Sequence, residues 1–367
     1  MRIGIYAPNL ASPAPSGVER YITELLRALS QKPTSHEFCL ISDAAELPLP
    51  AGGRRVPLKS MGRFARLRFD HYRLAALARE EKLDLLHCTK SFVPAGLDCP
   101  SIASIYDVIF LKRPEFYPFG WRLYWTRALR ASVERASAVI AMSDATARDV
   151  ESLLPGARGK VHAVRTGVNP SSFAPRKEDA ERLREKRGVR PPYLLYVGNI
   201  TRRKNIPVLL DAFESIRSQV QVRLVIAGAL EFGGGAVLER MRRGAESVSY
   251  LGRVADDELA ALYQGALGFV YPSQDEGFGL PVLEAMASRV PVITTSGGAL
   301  PEAVGDAGLL VAPDSVPELA AAMKRLAGDA ALRTSLVAKG LVRVAEHSWS
   351  RTADQTLELY EKTAARR

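Results

Sequence analysis

Two carboxylates flank a glycine-containing turn in the second half of the chain. An apolar run ends at Tyr271 and is followed by Glu276, Gly277 and Gly279, and then by an apolar segment that contains Glu284. Glycine has no Cβ, so a ligand can approach this backbone closely. An ionised carboxylate only accepts hydrogen bonds, which suits the adjacent hydroxyl groups of a sugar. The pattern indicates a sugar site, with one carboxylate available for a ribose and the other for a hexose.

The apolar segment after the turn predicts a helix that starts at Pro281, because proline is favoured at the first helical position. The preceding residue, Leu280, has no side-chain oxygen to cap the helix. The N–H groups of the first turn, which also holds Glu284, then stay free, and the helix dipole favours a phosphate beside them. The alternative is an ordinary strand-to-helix turn whose acidic residues only favour the dipole.

A basic run at 202–204 follows an earlier apolar segment and precedes a predicted helix. Within it, Arg203 and Lys204 are candidates for binding a diphosphate. Two cations there would stabilise the negative charge that develops on a leaving diphosphate. The alternative is a solvated basic turn.

Length and composition favour two domains. The chain has 367 residues, more than one hydrophobic core usually covers, and 47% of them are hydrophobic. Its 3 cysteines, without a Cys-x-x-Cys spacing, argue against a disulfide framework and a zinc site. Residues 1–6 show no secretory signal pattern, and no apolar run approaches the length of a membrane span. We therefore expect a cytoplasmic protein, in contact with a membrane only at the surface.

The basic excess lies in the first half of the chain. Residues 1–177 carry 26 Lys and Arg against 16 Asp and Glu, a difference of +10, whereas residues 178–367 carry 24 of each. Such a field attracts anionic partners. Basic and apolar residues interleave between Arg54 and Lys82, which indicates either an anionic-membrane patch or a sheet-covering helix with a solvated basic face.

Short apolar runs alternate with amphipathic segments in both halves, which is typical of parallel sheets covered by helices. Strands are predicted at 2–7, 37–41, 83–88, 102–106, 138–142, 161–164, 193–197, 222–227, 248–251, 267–271, 290–294 and 309–311. Helices are predicted at 17–30, 64–81, 121–136, 144–154, 206–216, 256–264, 281–288, 317–326 and 351–364.

The polar, charge-rich segment 175–192 reads as a linker between two domains. We predict an α/β fold with a first domain at 1–175, a second at 176–350 and a C-terminal helix at 351–367. Ligands of doubly wound sheets bind beyond the carboxyl ends of the strands. The loops that directly follow strands should therefore hold the functional residues.

The segment PSQDEGFGLPVLEAMA, with Glu276 and Glu284 in a Glu-x7-Glu spacing, resembles the family 4 retaining glycosyltransferases. YVGNITRRKN at 196–205 looks like the donor-phosphate motif of that family, and LGRVADDELAALYQGA at 251–266 resembles another of its stretches. Two segments of the first half, at 103–118 and 138–150, resemble its N-terminal domain. The resemblance extends over nearly the whole chain.

The resemblance implies the GT-B fold, with two Rossmann-like, doubly wound parallel-sheet domains that face a central cleft. The C-terminal domain would bind the donor, the N-terminal domain the acceptor, and the final helix would cross back to the first domain. The implied catalytic residues are Glu276, Arg203, Lys204, Asp107 and Tyr106. The implied donor-binding residues are Gly17, Gly198, Arg203, Lys204, Val254, Glu276, Gly277, Phe278, Gly279, Leu280 and Glu284.

Two positions depart from the family pattern. The chain has Ser16-Gly17 where the family usually has two glycines, so only Gly17 supplies free backbone rotation there. It has Tyr106-Asp107 where many relatives have His-Asp. A phenol still donates a hydrogen bond to a sugar or phosphate, but it is a poor base near neutral pH. Asp107 either orients the acceptor or caps the following turn.

The expected activity is transfer of a hexose, with mannose from GDP-mannose as the family-based guess, onto a glycan or lipid-linked acceptor in polysaccharide synthesis. A nucleotide-sugar epimerase on the same fold is the alternative. No Asp-x-Asp motif stands at a strand end, and the five histidines share no spacing, so we expect no metal and no cofactor. The donor motifs would have no purpose in a nucleic-acid-binding module, so we expect no nucleic acid partner.

Overall fold

The structure is a computed structural model that describes residues 1–11, 15–44, 46–59, 61–173, 181, 183, 185–231, 235–244 and 246–365. It divides into two compact units. The first unit contains Met1–Gly167 and Trp349–Arg367, and the second contains Val168–Ser348. Residues 175–180, 182 and 184 of the predicted linker, together with residue 174 and residues 12–14 of the loop before the first helix, lie outside the described residues.

The first unit is built on a parallel sheet of seven strands in the order β3-β2-β1-β4-β5-β6-β7. Its central strands are almost continuous apolar runs that are buried along their length, as a sheet covered on both faces requires. The strands are β1 (Arg2–Ala7), β2 (Glu37–Ser42), β3 (Arg54–Pro57), β4 (Leu85–Cys88), β5 (Ser101–Ile105), β6 (Ala138–Ala141) and β7 (Val161–Ala163).

Helices connect these strands. The first of them starts after Ser16, whose backbone N–H donates to the Glu19 carboxylate at 2.6 Å and thereby satisfies one donor at the helix start. A π-helical turn, Phe69–Arg73, interrupts the predicted helix 64–81. The helices are α1 (Gly17–Ser30), α2 (Arg63–Arg68), α3 (Leu74–Glu80), α4 (Ile109–Lys112), α5 (Phe119–Arg135) and α6 (Asp144–Leu153).

The second unit has a parallel sheet of six strands in the order β10-β9-β8-β11-β12-β13. Its strands are β8 (Tyr193–Val197), β9 (Arg223–Ala227), β10 (Val248–Gly252), β11 (Gly268–Tyr271), β12 (Val292–Thr295) and β13 (Gly308–Val311). Its helices are α7 (Ile206–Ile216), α8 (Gly235–Arg243), α9 (Asp256–Gln264), α10 (Leu280–Ala287), α11 (Leu300–Val304), α12 (Val316–Gly328) and α13 (Ala330–Glu346).

Both sheets reverse their strand order once. The reversal lies between β1 and β4 in the first unit and between β8 and β11 in the second. The loops after these neighbouring strands leave in opposite directions and open a crevice, which is where ligands of doubly wound sheets bind. In the second unit this crevice is bounded by the loop after Val197 and the loop after Tyr271.

The last helix, α14 (Trp349–Ala364), belongs to the first unit. Its Tyr360 hydroxyl lies 2.7 Å from Nδ1 of His87 in β4, and both side chains are buried. Near its start, Thr352 donates to the carbonyl of Arg165 at 2.8 Å. The last helix follows the second unit in the sequence, but it packs into the core of the first unit.

Several features differ from the predictions, which did not include the helices α4, α8, α11 and α13. Strand β3 was not predicted, because its sequence begins with Arg54-Arg55 and shows no apolar alternation. It lies at the edge of the sheet and pairs only with β2, so it does not need the apolar composition of a central strand. The compact units divide after Gly167, earlier than residue 175. The 3₁₀ turn Pro170–Phe173 packs in the second unit, where the Phe173 carbonyl accepts from Gln264 at 3.1 Å and its ring contacts Tyr263.

No helix in the described ranges combines the length and the apolar character that crossing a bilayer requires.

Candidate active site

Glu276 lies at the point where the strand order of the second sheet reverses. It belongs to the loop after β11, whereas Arg203 and Lys204 belong to the loop after β8, in the 3₁₀ turn Arg202–Lys204. One carboxylate oxygen, Oε2, is 2.7 Å from the Arg203 guanidinium, and the other, Oε1, accepts from the Lys204 ammonium. The fold therefore joins Glu276 to two adjacent basic residues that lie more than 70 positions earlier in the sequence.

This ion cluster is largely withdrawn from solvent. The side chains of Glu276 and Lys204 are only 10% and 11% exposed. Burial raises the pKa of Glu276, but the charges of Arg203 and Lys204 and the hydrogen bonds of the cluster outweigh it and lower that pKa to about 2. Glu276 is therefore ionised at neutral pH. Two cations and one anion leave the cluster a net charge of +1, which favours a diphosphate.

Two further side chains, which the sequence analysis did not single out, hold the Glu276 carboxylate. The Tyr271 hydroxyl donates to Oε1 at 3.0 Å, and the Ser273 hydroxyl donates to the same oxygen at 2.5 Å. The ammonium of Lys204 also lies over the Tyr271 ring, 4.7 Å from its centroid. Tyr271 ends the buried strand β11 and Ser273 follows it, so this position at the carboxyl end of a strand was the available signal.

Backbone contacts fix the loop that carries Glu276. The N–H of Gln274 donates to the Arg203 carbonyl at 2.9 Å, and the Arg203 guanidinium donates back to the Asp275 carbonyl at 2.5 Å. The N–H of Ala299, after β12, donates to the Glu276 carbonyl at 2.9 Å. The loop is thereby held from both neighbouring strands, which keeps the carboxylate in one orientation.

The turn at Gly298 has no room for a side chain. A Cβ atom there would lie 2.3 Å from Asp275 Oδ1 and 2.7 Å from the Glu276 nitrogen, and its φ is +58°. Both the left-handed backbone and the close approach of the Glu276 loop thus require glycine. Nothing in the sequence around Gly298 marks this requirement, because its contacts come from the loop after another strand.

Helix α10 begins at Leu280, one residue before the predicted start, so Pro281 is its second residue. Gly279 precedes it with a φ of +105°, a conformation open to glycine, and no side chain caps the helix. The prediction of an uncapped start is confirmed. The placement of Glu284 in the first turn was wrong: it is the fifth helical residue and lies in the second turn, because the helix begins earlier.

Among the other predicted donor residues of this unit, Glu284, Phe278 and Gly198 each contact side chains outside the Glu276 cluster. The Glu284 carboxylate accepts from the buried Tyr263 hydroxyl at 3.0 Å. The ring of Phe278 is buried and contacts His347, so it anchors the loop, and the adjacent Gly277 carries no side chain. Gly198, with φ +150°, directly follows β8, where a Cβ would lie 2.9 Å from the Tyr196 hydroxyl.

Val254 is partly buried in the loop after β10, two strands away from the crevice between β8 and β11. No contact joins it to the Glu276 cluster within the described part of the unit. Its position after a strand matches the expected edge of the sheet, and its donor contact stays a prediction.

Tyr106, Asp107 and Gly17 lie in the first unit. The Tyr106 hydroxyl donates to the Thr89 carbonyl at 2.9 Å, and burial raises the pKa of this phenol well above its ordinary value. Asp107 accepts from the Ile109 N–H at 3.1 Å, at the start of α4. Gly17 is the exposed first residue of α1, and space is open around its Cα. The acceptor and donor roles of these three residues stay predictions.

The family comparison covers most of the chain. Residues 15–172 match the family described as Glycosyltransferase Family 4, and residues 191–329 match the one described as Glycosyl transferases group 1. The O-antigen chain mannosyltransferase B of Escherichia coli is 29% identical over 94% of this chain and 96% of its own length. The chain belongs to glycosyltransferase family 4. It is a retaining hexosyltransferase.

Solved structures show that this family 4 glycosyltransferase has the GT-B fold, as predicted. Sucrose-phosphate synthase from Thermosynechococcus elongatus superposes with a TM-score of 0.79 at 23% identity and covers 100% of both chains. Anabaena HepE, solved in complex with UDP-glucose, superposes with a TM-score of 0.75 at 19% identity, over 99% of this chain and 100% of its own.

In the predicted membrane segment of this glycosyltransferase, Arg54–Lys82, three of the basic side chains form ion pairs with nearby carboxylates. Arg54 pairs with Glu81 at 3.3 Å and Arg73 with Glu80 at 2.6 Å. Arg79 pairs with Asp98 at 2.6 Å, and Arg66 is buried against Tyr6. Its apolar residues Met61 and Phe69 pack on the core of the first unit.

Proposed function

We propose that this family 4 glycosyltransferase moves mannose, with retention, from GDP-mannose to a glycan or lipid-linked acceptor in the synthesis of a surface polysaccharide. The observation that carries the proposal is the buried cluster in which Glu276 joins Arg203 and Lys204 at the strand reversal of the second unit. Mannose and the polysaccharide acceptor are supported by the name of the E. coli relative that matches over nearly its whole length.

The donor diphosphate would bind beside Arg203 and Lys204. Their charges exceed that of Glu276 by one, so the cluster attracts the anion and stabilises the charge that grows on the leaving group. The dipole at the uncapped start of α10 favours the same phosphates. In this proposal the two cations, rather than a metal ion, neutralise the charge of the diphosphate.

The two carboxylates would hold the sugars on either side of the diphosphate. Tyr271, Ser273 and Lys204 all donate to Oε1 of Glu276, whereas Arg203 contacts Oε2. Oε2 therefore has lone-pair capacity for a hexose hydroxyl. Glu284, braced by the Tyr263 hydroxyl, would accept from the ribose hydroxyls.

Transfer would proceed at one face of the sugar. The acceptor hydroxyl oxygen forms a bond to the anomeric carbon on the side from which the diphosphate leaves, and the bond from that carbon to the phosphate oxygen breaks. The proton of the acceptor moves to the departing phosphate oxygen. Arg203 and Lys204 stabilise the separated charge, so no side chain needs to act as a covalent nucleophile.

The acceptor would bind the first unit, near Tyr106 and Asp107, which follow the carboxyl end of β5. Tyr106 would contribute by bracing the Thr89 carbonyl, and Asp107 by orienting the acceptor hydroxyl. We place the enzyme on the cytoplasmic side of a membrane, where nucleotide sugars and lipid-linked glycans meet. The segment Arg54–Lys82 is the sequence-based candidate for that contact.

A donor screen tests the proposal. The purified protein is incubated with GDP-mannose, UDP-glucose or UDP-galactose, together with a mannose-containing oligosaccharide, and NMR identifies the product. We expect transfer from GDP-mannose with an α-linkage, as in the donor. An inverted linkage would contradict the retaining mechanism, and transfer only from a UDP-sugar would contradict the mannose assignment.

The same incubation without acceptor tests the epimerase alternative. A transferase should hydrolyse the donor slowly and return the original sugar. Release of an epimer of the donor sugar would show that this site catalyses epimerisation and would contradict the transferase proposal.

A further inference from the structure

Helix α5 presents two different stripes of side chains. Leu129, Ser132 and Val133 are buried, and Trp125 packs against the same core. The beginning of the helix points large apolar side chains outward: Phe119 is 70% exposed, and Trp121, Leu123 and Tyr124 are also exposed. An amphipathic helix normally hides such residues, so these four need a separate explanation.

One more exposed aromatic side chain lies beside them. Tyr72, in the π-helical turn, is 81% exposed, and its ring centroid is 6.2 Å from that of His71. His71 lines the same cavity as Leu123 and Tyr124. We call Tyr72, Phe119, Trp121, Leu123 and Tyr124 the aromatic face. It contains five of the ten exposed large hydrophobic residues among the described residues, so the exposure is concentrated rather than scattered.

A cavity of about 440 Å³ opens within this face. Its walls are largely apolar, and arginines stand at two points of its lining. The apolar part of the lining includes Phe92, Leu123 and Tyr124, and the two arginines are Arg127 and Arg135. An apolar cavity with guanidinium groups in its lining suits a molecule that has both a hydrocarbon chain and an anionic group.

Helix α5 carries charges of one sign around its exposed aromatic residues. Residues 116–133 contain Arg122, Arg127 and Arg130 and no Asp or Glu. Arg122 stacks over the Phe119 ring, 5.5 Å from its centroid. Arg127 and Arg130 are exposed, and neither has an acidic partner in the described part of the chain. This differs from Arg54–Lys82, where ion pairs neutralise Arg54, Arg73 and Arg79.

We propose that the aromatic face docks on an anionic phospholipid surface. The aromatic rings would lie at the level of the headgroups, Arg127 and Arg130 would contact lipid phosphates, and the cavity would receive part of an acyl chain. A second copy of this chain is a poor occupant, since a symmetric contact would bring these arginines against each other. Exposed Phe119 and Leu123 favour lipid over nucleic acid, which offers no hydrocarbon phase.

The topology connects this surface to the proposed acceptor site. Helix α5 follows the carboxyl end of β5 and, as a helix that returns between parallel strands, begins at that edge of the sheet. Its exposed aromatic residues occupy these first turns, and ligands of such sheets bind beyond the same edge. Docking would thus present the acceptor edge of the first unit to a lipid-linked substrate. This consequence rests on the proposed function, whereas docking itself does not.

Vesicle flotation tests the docking. The full chain is mixed with phosphatidylcholine vesicles that contain about 30% phosphatidylglycerol, and with phosphatidylcholine vesicles alone. We expect binding to the anionic vesicles only. The double variant Tyr72→Ser with Phe119→Ser should bind about tenfold or more weakly, because two interfacial rings are lost. Arg127→Glu with Arg130→Glu should lose binding at moderate salt.

Matched controls separate docking from general surface effects. Val342→Ser removes a side chain that is 66% exposed in the second unit, and Arg242→Glu reverses an exposed charge there. Both should float like the unaltered chain, and all variants should keep its melting temperature. Equal binding of Tyr72→Ser with Phe119→Ser, or an equal loss in Val342→Ser, would overturn the proposal.

Two further measurements distinguish the other outcomes. Transfer to a water-soluble oligosaccharide should be unchanged in the aromatic-face variants, so failure of docking and failure of the proposed function give different results. Concentration-dependent dimerisation that these variants abolish would assign the face to a second copy instead. Binding to single-stranded RNA without vesicle binding would assign it to nucleic acid.

Discussion

The guanidinium of Arg203 lies 2.7 Å from Oε2 of Glu276, and this ion pair connects the loops after two neighbouring strands, β8 and β11. The Glu276 carboxylate also accepts from Lys204, Tyr271 and Ser273. One side chain thus contacts both cations and holds them at the strand reversal.

Glu276→Gln should separate donor binding from transfer. The amide keeps the shape of the side chain but removes one negative charge, so the cluster's charge rises from +1 to +2. Binding of GDP should be unchanged or tighter. Transfer should fall by about 30–150-fold, because hydrogen bonds to a charged carboxylate contribute about 2–3 kcal/mol. Calorimetry with GDP and the initial rate of transfer provide the two measurements. Equal losses in both would contradict a specific role with the hexose.

Lys204→Met should weaken diphosphate binding. Methionine fills similar space without the ammonium, so one of the two cations for the leaving group is lost. We expect GDP to raise the melting temperature of this variant much less than that of the unaltered chain. Transfer should drop at least about 100-fold. Arg202→Met, in the same basic run but exposed, is the control and should retain both. A similar loss in the two variants would assign the effect to the general charge of the run.

Gly298→Ala should displace the Glu276 loop. The added Cβ would lie 2.3 Å from Asp275 Oδ1, and the φ of +58° adds backbone strain. We expect a loss of about 3 kcal/mol or more in the free energy of unfolding, and a matching loss of transfer. Gly159→Ala has a similar φ of +73° but open space around it, so it should cost only about 1 kcal/mol. Chemical denaturation measures both, and equal costs would show that the loop contact is unimportant.

The acid stability of the protein should depend on Glu276. Its pKa is about 2 in the folded chain, below the ordinary value of 4.5, so the unfolded chain binds the proton more readily. The stability that this carboxylate contributes is present above about pH 4.5 and is lost as the pH falls towards 2. The stability difference between the unaltered chain and Glu276→Gln should therefore shrink on going from pH 7 to about pH 3.

Denaturant titrations at both pH values measure that difference. Glu358→Gln, at an exposed position of α14, serves as the control, and its difference should stay small throughout. A gap for Glu276→Gln that is the same at both pH values would contradict the lowered pKa.

Asp107→Asn tests the proposed acceptor role. The amide oxygen can still accept from the Ile109 N–H, so the free energy of unfolding should change by less than about 0.5 kcal/mol. The charge is lost, however, and transfer should fall about tenfold if the carboxylate orients the acceptor hydroxyl. The Michaelis constant for the acceptor should carry part of that loss, while the constant for the donor stays the same. Unchanged transfer would contradict the acceptor role of Asp107.

Local patterns predicted most of the architecture. Apolar runs such as 2–7 and 193–197 coincide with β1 and β8, because strands buried on both faces have little freedom in composition. Helix ends were predicted within one or two residues where a proline or a polar cap marks them, as at α10. Strand β3 was missed, since an edge strand beside one neighbour carries no such pattern.

The candidate site was predicted only in part. Arg203, Lys204, Glu276 and Glu284 stood out because their types and their positions after apolar runs suggest anion and sugar binding. Gly298 did not, because its contacts are with a loop that is distant in the sequence. Tyr271 and Ser273 lie close to Glu276 in the sequence, but they carry no charge, and only the fold shows that their hydroxyls donate to its carboxylate. The direct pairing of Glu276 with both cations was also not predicted, since each of these side chains was assigned to a separate part of the donor.

The sequence by itself determined the fold class, the uncapped helix start and the identity of the charged residues, because each depends on local composition and spacing. Only the tertiary structure decided that Arg203 and Lys204 converge on one carboxylate and that this carboxylate stays ionised while buried. It also decided which aromatic residues of α5 face outward. The physical reason is that charge balance and exposure are sums over neighbours from several strands and helices, and local spacing does not specify those neighbours.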